Sequence, residues 1–286
     1  MRRTILYHAN CPDGFGAALA YWLKWGDADC TYLPVQYGQP PPAIPASHGV
    51  LLFDFSYDLD TTLTLAETHA SLTVLDHHAT AEAALAGLPQ RAGLEVVFDQ
   101  HECGATLVWK YLHRHTGAAD LEQTMPLFYK YLRDRDLWKW QLHKSREVSL
   151  ALWSLPRTFP VWRKAMTELE RLKMEGSAIA RYVDGLVAAQ GARWHYGMLA
   201  GQPCVVVNAT CLLSELGEWL CESLLPSVDA AFVALYFDRN DDQRQWSLRS
   251  TGDVDVSVIA QAYGGGGHKH AAGFVAPSGG NAPCTP

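Results

Sequence analysis

The sequence predicts an α/β protein: a doubly wound, mostly parallel sheet joined by a helical connector to a smaller α/β domain. Three observations carry this. Short β-branched and aliphatic runs alternate with helix-length amphipathic stretches through the N-terminal part of the chain, the pattern of βαβ units. Three of those runs end in chemically active side chains: Arg3-Thr4-Ile5-Leu6-Tyr7 leads into His8, Val50-Leu51-Leu52-Phe53 into Asp54, and Thr73-Val74-Leu75 into Asp76-His77-His78. The chain then turns helical from Gly104, and a second succession of strands and helices begins near Trp194.

Taken in order, a first strand over residues 3–7 precedes a helix over 14–25, whose Ala17, Ala18, Leu19, Tyr21, Trp22 and Leu23 suit packing on a sheet. A strand over 31–37 follows, then 39–45, too rich in proline to continue either element. The strand over 50–53 delivers Asp54, and a helix over 60–69 with strands over 72–75 and 94–98 extends the alternation. Helices are expected over 105–112 and 125–132, the second running into Asp134-Arg135-Asp136. Trp162, Met166, Leu169, Leu172 and Met174 lie among charged residues in a helical connector. The expected division is therefore a catalytic domain over 1–158, a connector over 159–193 and a second domain over 194–286. In that second domain strands are expected over 196–199, 204–208, 230–237 and 245–250, and helices over 214–224 and 254–263, before a run of four glycines.

If the N-terminal strands are parallel, their tips share one edge of the sheet, and His8, Asp13, Asp54, Asp76, His77 and His78 converge there. Carboxylate oxygens and imidazole nitrogens together suit Mn²⁺ or another hard-to-borderline divalent cation. The alternative is three unrelated tips, each capping the next helix or facing solvent.

At 286 residues the chain has room for about two domains with cores of their own. Its 48% apolar and 19% charged residues are ordinary for a globular protein. Neither a signal peptide nor a membrane-spanning apolar run is visible, so a cytoplasmic location is expected. Seven cysteines without metal-type spacing point to reduced thiols, with Cys204, Cys211 and Cys221 packing as small hydrophobes. With 23 basic against 30 acidic residues the net charge is −7, which argues against extended sequence-independent binding of long nucleic acid.

Asp76-His77-His78 after an apolar strand resembles the signature of the DHH phosphoesterase family. Gly264-Gly265-Gly266-Gly267-His268-Lys269-His270-Ala271-Ala272-Gly273 resembles the glycine-histidine motif of its companion DHHA1 domain. With His8-Ala9-Asn10-Cys11-Pro12-Asp13-Gly14 the resemblance spans nearly the whole chain. It implies a metal set of His8, Asp13, Asp54, His77 and an aspartate near 134, with Asp134 the first choice and Asp136 the reserve. It gives His77 to the metal and His78 to the scissile phosphate, leaving Asp76 to orient an imidazole. Asp54 is the candidate bridge between two ions.

The first motif departs from the family, whose members commonly carry two aspartates one residue apart. Only Asp13 is present; the missing partner falls at Phe15 in one register and at Cys11 in the other. Single-metal chemistry or a weakly held second ion follows, with Asn10 a neutral oxygen nearby. In the second domain the resemblance implies a phosphate seat at Gly265, Gly266, Gly267 and His268, with Arg249 clamping a further phosphate. Trp194, Tyr196 and Trp246 are aromatic enough to stack bases, and equally suited to a core.

The expected function is a Mn²⁺-dependent phosphodiesterase, with one or two ions or Mg²⁺ in their place, hydrolysing short oligonucleotides or dinucleotides by attack of a metal-activated water. His78, Asp54 and His268 are the candidate catalytic residues. The alternatives are a nucleotide phosphatase or exopolyphosphatase, and a nucleotide-binding regulator without turnover. No membrane and no long duplex partner is expected, and a homodimer stays open.

Overall fold

The apolar runs of the N-terminal part become five parallel strands. The structure, a computed structural model, describes residues 1–117 and 120–278, and the backbone of 284–285. It divides into two compact units, Met1–Ala180 and Arg181–Pro286.

The first unit begins β1 (Arg3–His8), α1 (Pro12–Trp25), β2 (Cys30–Val35), β3 (Gly49–Phe53), α2 (Leu59–Thr68), β4 (Ser71–Asp76), α3 (Ala79–Leu85) and β5 (Leu94–Phe98). The strands lie in the order β2-β1-β3-β4-β5 and every neighbouring pair is parallel. The order reverses between β1 and β3, and open parallel sheets form their binding crevice at the carboxyl ends of strands at such a point. Register places Tyr7 beside Phe53 and Phe53 beside Leu75, so the tips bearing His8, Asp54 and Asp76 stand side by side.

Side chains alternate across the sheet, as the two-residue strand period requires. Ile5, Leu51, Phe53 and Leu75 enter one core with α1 and the helices that follow, whereas Leu6, Val50, Leu52, Leu72 and Val74 enter a second core with Leu65, Ala66 and Leu85. Both faces are therefore covered, which is why these strands read as continuous apolar runs. Each fully buried aliphatic side chain contributes roughly 1.5–3 kcal/mol.

The helical part comprises α4 (Gly104–His113), α5 (Leu121–Thr124), α6 (Leu127–Asp136), α7 (Ser145–Ser154), α8 (Phe159–Ala165) and α9 (Leu169–Gly191). Within 159–193 lie the two helices α8 and α9, and Trp162, Ala165 and Leu172 belong to the core shared with α1. The compact division falls inside α9, between Ala180 and Arg181.

The second unit contains β6 (His195–Leu199), β7 (Gln202–Asn208), α10 (Leu213–Ser223), β8 (Phe232–Asp238), β9 (Gln243–Arg249), α11 (Val256–Ala262), β10 (Gly266–His268), β11 (Ala271–Pro277) and β12 (Cys284–Thr285). Its sheet runs β10-β11-β9-β8-β7-β6-β12 and is antiparallel except between β7 and β8. Trp246 is fully buried in its core, 5.1 Å from the Tyr236 ring and 5.9 Å from Phe274. Core packing, not base stacking, therefore accounts for Trp246. Cys204 and Cys221 are buried as expected, but Cys211 is exposed, because it lies in the turn before α10. Among the described residues no helix is long and apolar enough to cross a membrane.

Candidate metal centre

The sheet edge builds a compact group around Asp54. Asp54 follows β3 with φ of 56°, a left-handed conformation uncommon for a residue with a side chain and of the kind that accumulates at functional sites. Its Oδ1 lies 3.1 Å from Nε2 of His77 and its Oδ2 lies 3.5 Å from Nδ1 of His8. The same His77 nitrogen is 3.5 Å from Asp136 Oδ2 and 3.8 Å from Asp13 Oδ2. Three overlapping sets of potential ligand atoms result among the described residues: Asp13, His77 and Asp136; His8, Cys11 and Asp54; and Asp54, Asp76, His77 and His78.

Asp13, in the first turn of α1, is buried and accepts hydrogen bonds from the Gly104 and Ala105 amides at 2.5 and 2.8 Å. It therefore ties the start of α4 to the site while facing His77. Close approach explains two glycines. A Cβ on Gly104 would stand 2.5 Å from the Asp54 Cβ, and one on Gly14 would stand 2.5 Å from the His8 carbonyl oxygen.

Behind this group Asp76 is completely buried. Its Oδ1 accepts from the His77 amide at 2.7 Å and lies 2.7 Å from His78 Nδ1, while Oδ2 accepts from the Ser56 hydroxyl at 2.6 Å. Asp76 thus orients His78, and Ser56 fixes Asp76.

Asp134, the first-choice ligand from the sequence, does not join the group. Its carboxylate accepts from the Gln141 and Leu142 amides at 3.0 and 3.1 Å, which anchors the turn after α6. Asp136, two positions on and roughly 200° around the helix, is the aspartate that reaches His77. Of the two aspartates it is thus the reserve, Asp136, that faces His77.

Crowding of carboxylates sets the electrostatics. Burial, together with the charges of Asp54 and Asp136, raises the Asp13 carboxyl well above its ordinary range, and burial also raises Asp136. For Asp54 burial acts in the same direction, but the hydrogen bond to His77 and the His8 imidazole near Oδ2 overcome it and hold the carboxyl low. Burial would lower His77, yet the Asp54 hydrogen bond and the Asp136 and Asp13 charges push it up to about 10. His78 is raised in the same way, its burial outweighed by Asp76. Burial and the three aspartates push the Cys11 thiol up.

A divalent cation fits this arrangement. Asp54 Oδ2 is buried without a hydrogen-bond partner, and a buried anionic oxygen in that state is strongly unfavourable unless a cation compensates it. The donor set, oxygens and imidazoles with one thiol at the edge, is a ligand set for divalent metals.

In the second unit the expected phosphate residues have a different setting. Gly266–His268 is a strand, paired with β11, and not an open nest of amides. A Cβ on Gly265 would fall 2.1 Å from the Gly273 carbonyl oxygen, and Gly267 has φ of 144° with its Cβ position 2.5 Å from the Ala271 carbonyl oxygen, so close backbone packing requires both glycines. His268 ends the strand and is exposed. Arg249 closes β9, donating to the Leu248 carbonyl at 2.9 Å and to the Ser214 hydroxyl at 3.2 Å.

Residues 216–283 match the DHHA1 domain family. The C-terminal unit carries a DHHA1 domain. Asp76-His77-His78 precedes it in the chain, at the tip of a parallel strand of the first unit. An uncharacterised protein, R106, of Acanthamoeba polyphaga mimivirus is 25% identical, the match covering 95% of this chain and 66% of that protein. An exopolyphosphatase-related protein from Bacteroides fragilis shares the fold at 12% identity and a TM-score of 0.50, with 96% of this chain and 86% of that one covered. A pGpG-specific phosphodiesterase from Vibrio cholerae aligns at 12% identity and a TM-score of 0.44 over 97% and 94% of the two chains.

Two contributors to the site escaped the sequence, Ser56 and Gly104. Ser56 follows Asp54 by two residues, so its place beside the strand tip was the one available signal.

Proposed function

We propose that this protein is a divalent-metal-dependent phosphodiesterase that hydrolyses short oligonucleotides or dinucleotides. The observation that carries the proposal is the convergence of Asp13, Asp54 and Asp136 on His77 at the sheet's switch point, with the second Asp54 oxygen buried and unpartnered beside His8. Asp13, Asp54, His77 and Asp136 would hold one ion, and His8 with the second Asp54 oxygen would face another. Mn²⁺ suits the first set of oxygens and imidazole. When bound, such an ion lowers the pKa of a coordinated water and neutralises charge on phosphoryl oxygens.

The chain's own groups do the rest. His78, with Nδ1 on Asp76, holds a proton more readily because of that carboxylate, and its second nitrogen would donate to a phosphate oxygen as charge develops there. Asp76 holds that geometry through its bond from Ser56, as carboxylates do behind functional imidazoles. In the DHHA1 domain His268 and the amides of its edge strand would seat a terminal phosphate, with Arg249 contributing charge. A net charge of −7 provides little general attraction for a long polyanion, so substrate recognition rests on one or two phosphates.

A second reading, exopolyphosphatase, is favoured by the name of the Bacteroides fragilis relative. A panel of labelled dinucleotides, longer single strands, cyclic dinucleotides, nucleotide monophosphates and polyphosphate, assayed with Mn²⁺, separates the two. Turnover concentrated on about two to five nucleotides is expected from the few phosphates such a seat contacts. Turnover of polyphosphate alone would transfer the assignment to the second reading, and no turnover of any member would leave only a binding role.

A further inference from the structure

We infer that Cys11 is a metal ligand: its sulfur stands where, in one of the two registers, the first motif lacks a carboxylate, and makes one of two ion positions a nitrogen, sulfur and oxygen site suited to Zn²⁺ or Co²⁺. This deepens the metal-centre reading above and does not depend on which phosphoester is cleaved.

A His8 nitrogen, the Cys11 sulfur and an Asp54 oxygen all lie within 4.8 Å of one another. Ligands around a tetrahedral zinc, with bonds of roughly 2.0–2.3 Å, stand roughly 3.3–3.8 Å apart, so closure of about an ångström completes the set. Independently, Asp54 Oδ2 is the oxygen on this side, 3.5 Å from His8 Nδ1; it has no hydrogen-bond partner although Asp54 is only 1% exposed. Its other oxygen faces His77, so the carboxylate is divided between two positions in the manner of a bridge.

The backbone supports the same role. Cys11 is the N-cap residue of the 14-residue helix α1, so the start of the helix holds it beside His8. Asn10, at φ of 57°, turns the chain between β1 and α1 and brings Cys11 back towards His8.

The two positions then differ in character. Asp13, Asp136 and His77 with Asp54 form an oxygen-rich set for Mn²⁺ or Mg²⁺, whereas a thiolate with one imidazole and one carboxylate selects a borderline ion and leaves a coordination position open. On ion binding the thiol gives its proton to solvent and the sulfur lone pair forms the bond.

The test is spectroscopic. The full chain, stripped with a chelator, is titrated with Co²⁺ and followed by near-ultraviolet absorption and elemental analysis. A thiolate-to-cobalt charge-transfer band should appear and two ions should bind. Cys11→Ser should lose the band and one ion. Cys11→Asp should bind two ions without the band, and its second position should exchange Zn²⁺ preference for Mn²⁺. Asp13→Asn, altered on the other side, should keep the band. No band with two cobalt ions bound, only one ion in the unmodified chain, or an unchanged band in Cys11→Ser would each overturn the assignment; should Cys11→Ser unfold by circular dichroism, Cys11→Asp provides the same comparison. Because no phosphoester enters the assay, an active enzyme lacking the band rejects Cys11 alone, while a band in a protein that hydrolyses nothing rejects the phosphodiesterase reading alone.

Discussion

Metal binding at this centre should expel a proton from His77, and the pH dependence of affinity should show it. His77 Nε2 is surrounded by Asp54 at 3.1 Å, Asp136 at 3.5 Å and Asp13 at 3.8 Å. Burial opposes protonation, but those carboxylates overcome it and push His77 up to about 10, so the imidazolium acts as the cation of the metal-free centre. A metal needs the lone pair that this proton occupies. At pH 7 the proton lies about three units below its pKa (10 − 7), so apparent affinity should be about a thousandfold below its intrinsic value, or roughly 4 kcal/mol. Affinity should therefore rise about tenfold per pH unit through the neutral range. Calorimetric titration of Mn²⁺ into chelator-stripped protein, in two buffers of different ionisation enthalpy, counts the protons directly. At least one should be released with the first ion, and His77→Gln should release fewer. Flat affinity between about pH 6 and 8 with no proton released would refute the charge arrangement described for His77. The same shift has a consequence for stability. A histidine raised from 6.5 to about 10 stabilises the metal-free fold fully below about 6.5 and loses that contribution as pH rises through about 10, so the melting temperature of the stripped protein should fall across that interval.

Two further outcomes separate residues that look alike in sequence. Asp136→Asn should weaken Mn²⁺ binding with little change in melting temperature, whereas Asp134→Ala should cost about 1–3 kcal/mol in denaturant unfolding by leaving the Gln141 and Leu142 amides without their acceptor; the reverse pattern would restore Asp134 to the metal. His268→Ala should raise KM and lower kcat on dinucleotides, and efficiency should decline on longer strands. An unchanged variant, or efficiency that climbs with strand length, would remove the terminal phosphate seat.

How far the sequence reveals this site depends on how local its causes are. The strand tips were legible because an apolar run ending in Asp or His has one meaning in a parallel sheet, whichever strands are neighbours. Asp134 and Asp136 were not separable, since residues two apart point to opposite sides of a helix and only the packing of α6 decides which side meets the sheet. Asp13's second task, accepting from Gly104 and Ala105, joins positions far apart in sequence and leaves no local trace. The glycine run was ambiguous for another reason. Glycine permits both an anion-binding turn and a strand pressed against a neighbouring backbone, and the pairing with Ala271–Pro277 selects the strand.

Asp54→Asn tests the central claim most directly. Asparagine keeps the shape of the side chain and tolerates the φ of 56°, so the substitution removes the bridging charge and leaves the strand tip in place. The measurement is dinucleotide hydrolysis against Mn²⁺ concentration, for the unmodified chain and the variant, after complete chelation. The unmodified chain should be inert when stripped and recover with metal, and Asp54→Asn should stay at least about a hundredfold slower at every concentration while keeping the circular-dichroism spectrum of the folded chain. Full turnover in stripped protein, or an Asp54→Asn enzyme that matches the unmodified chain, would contradict a metal-dependent centre built on Asp54.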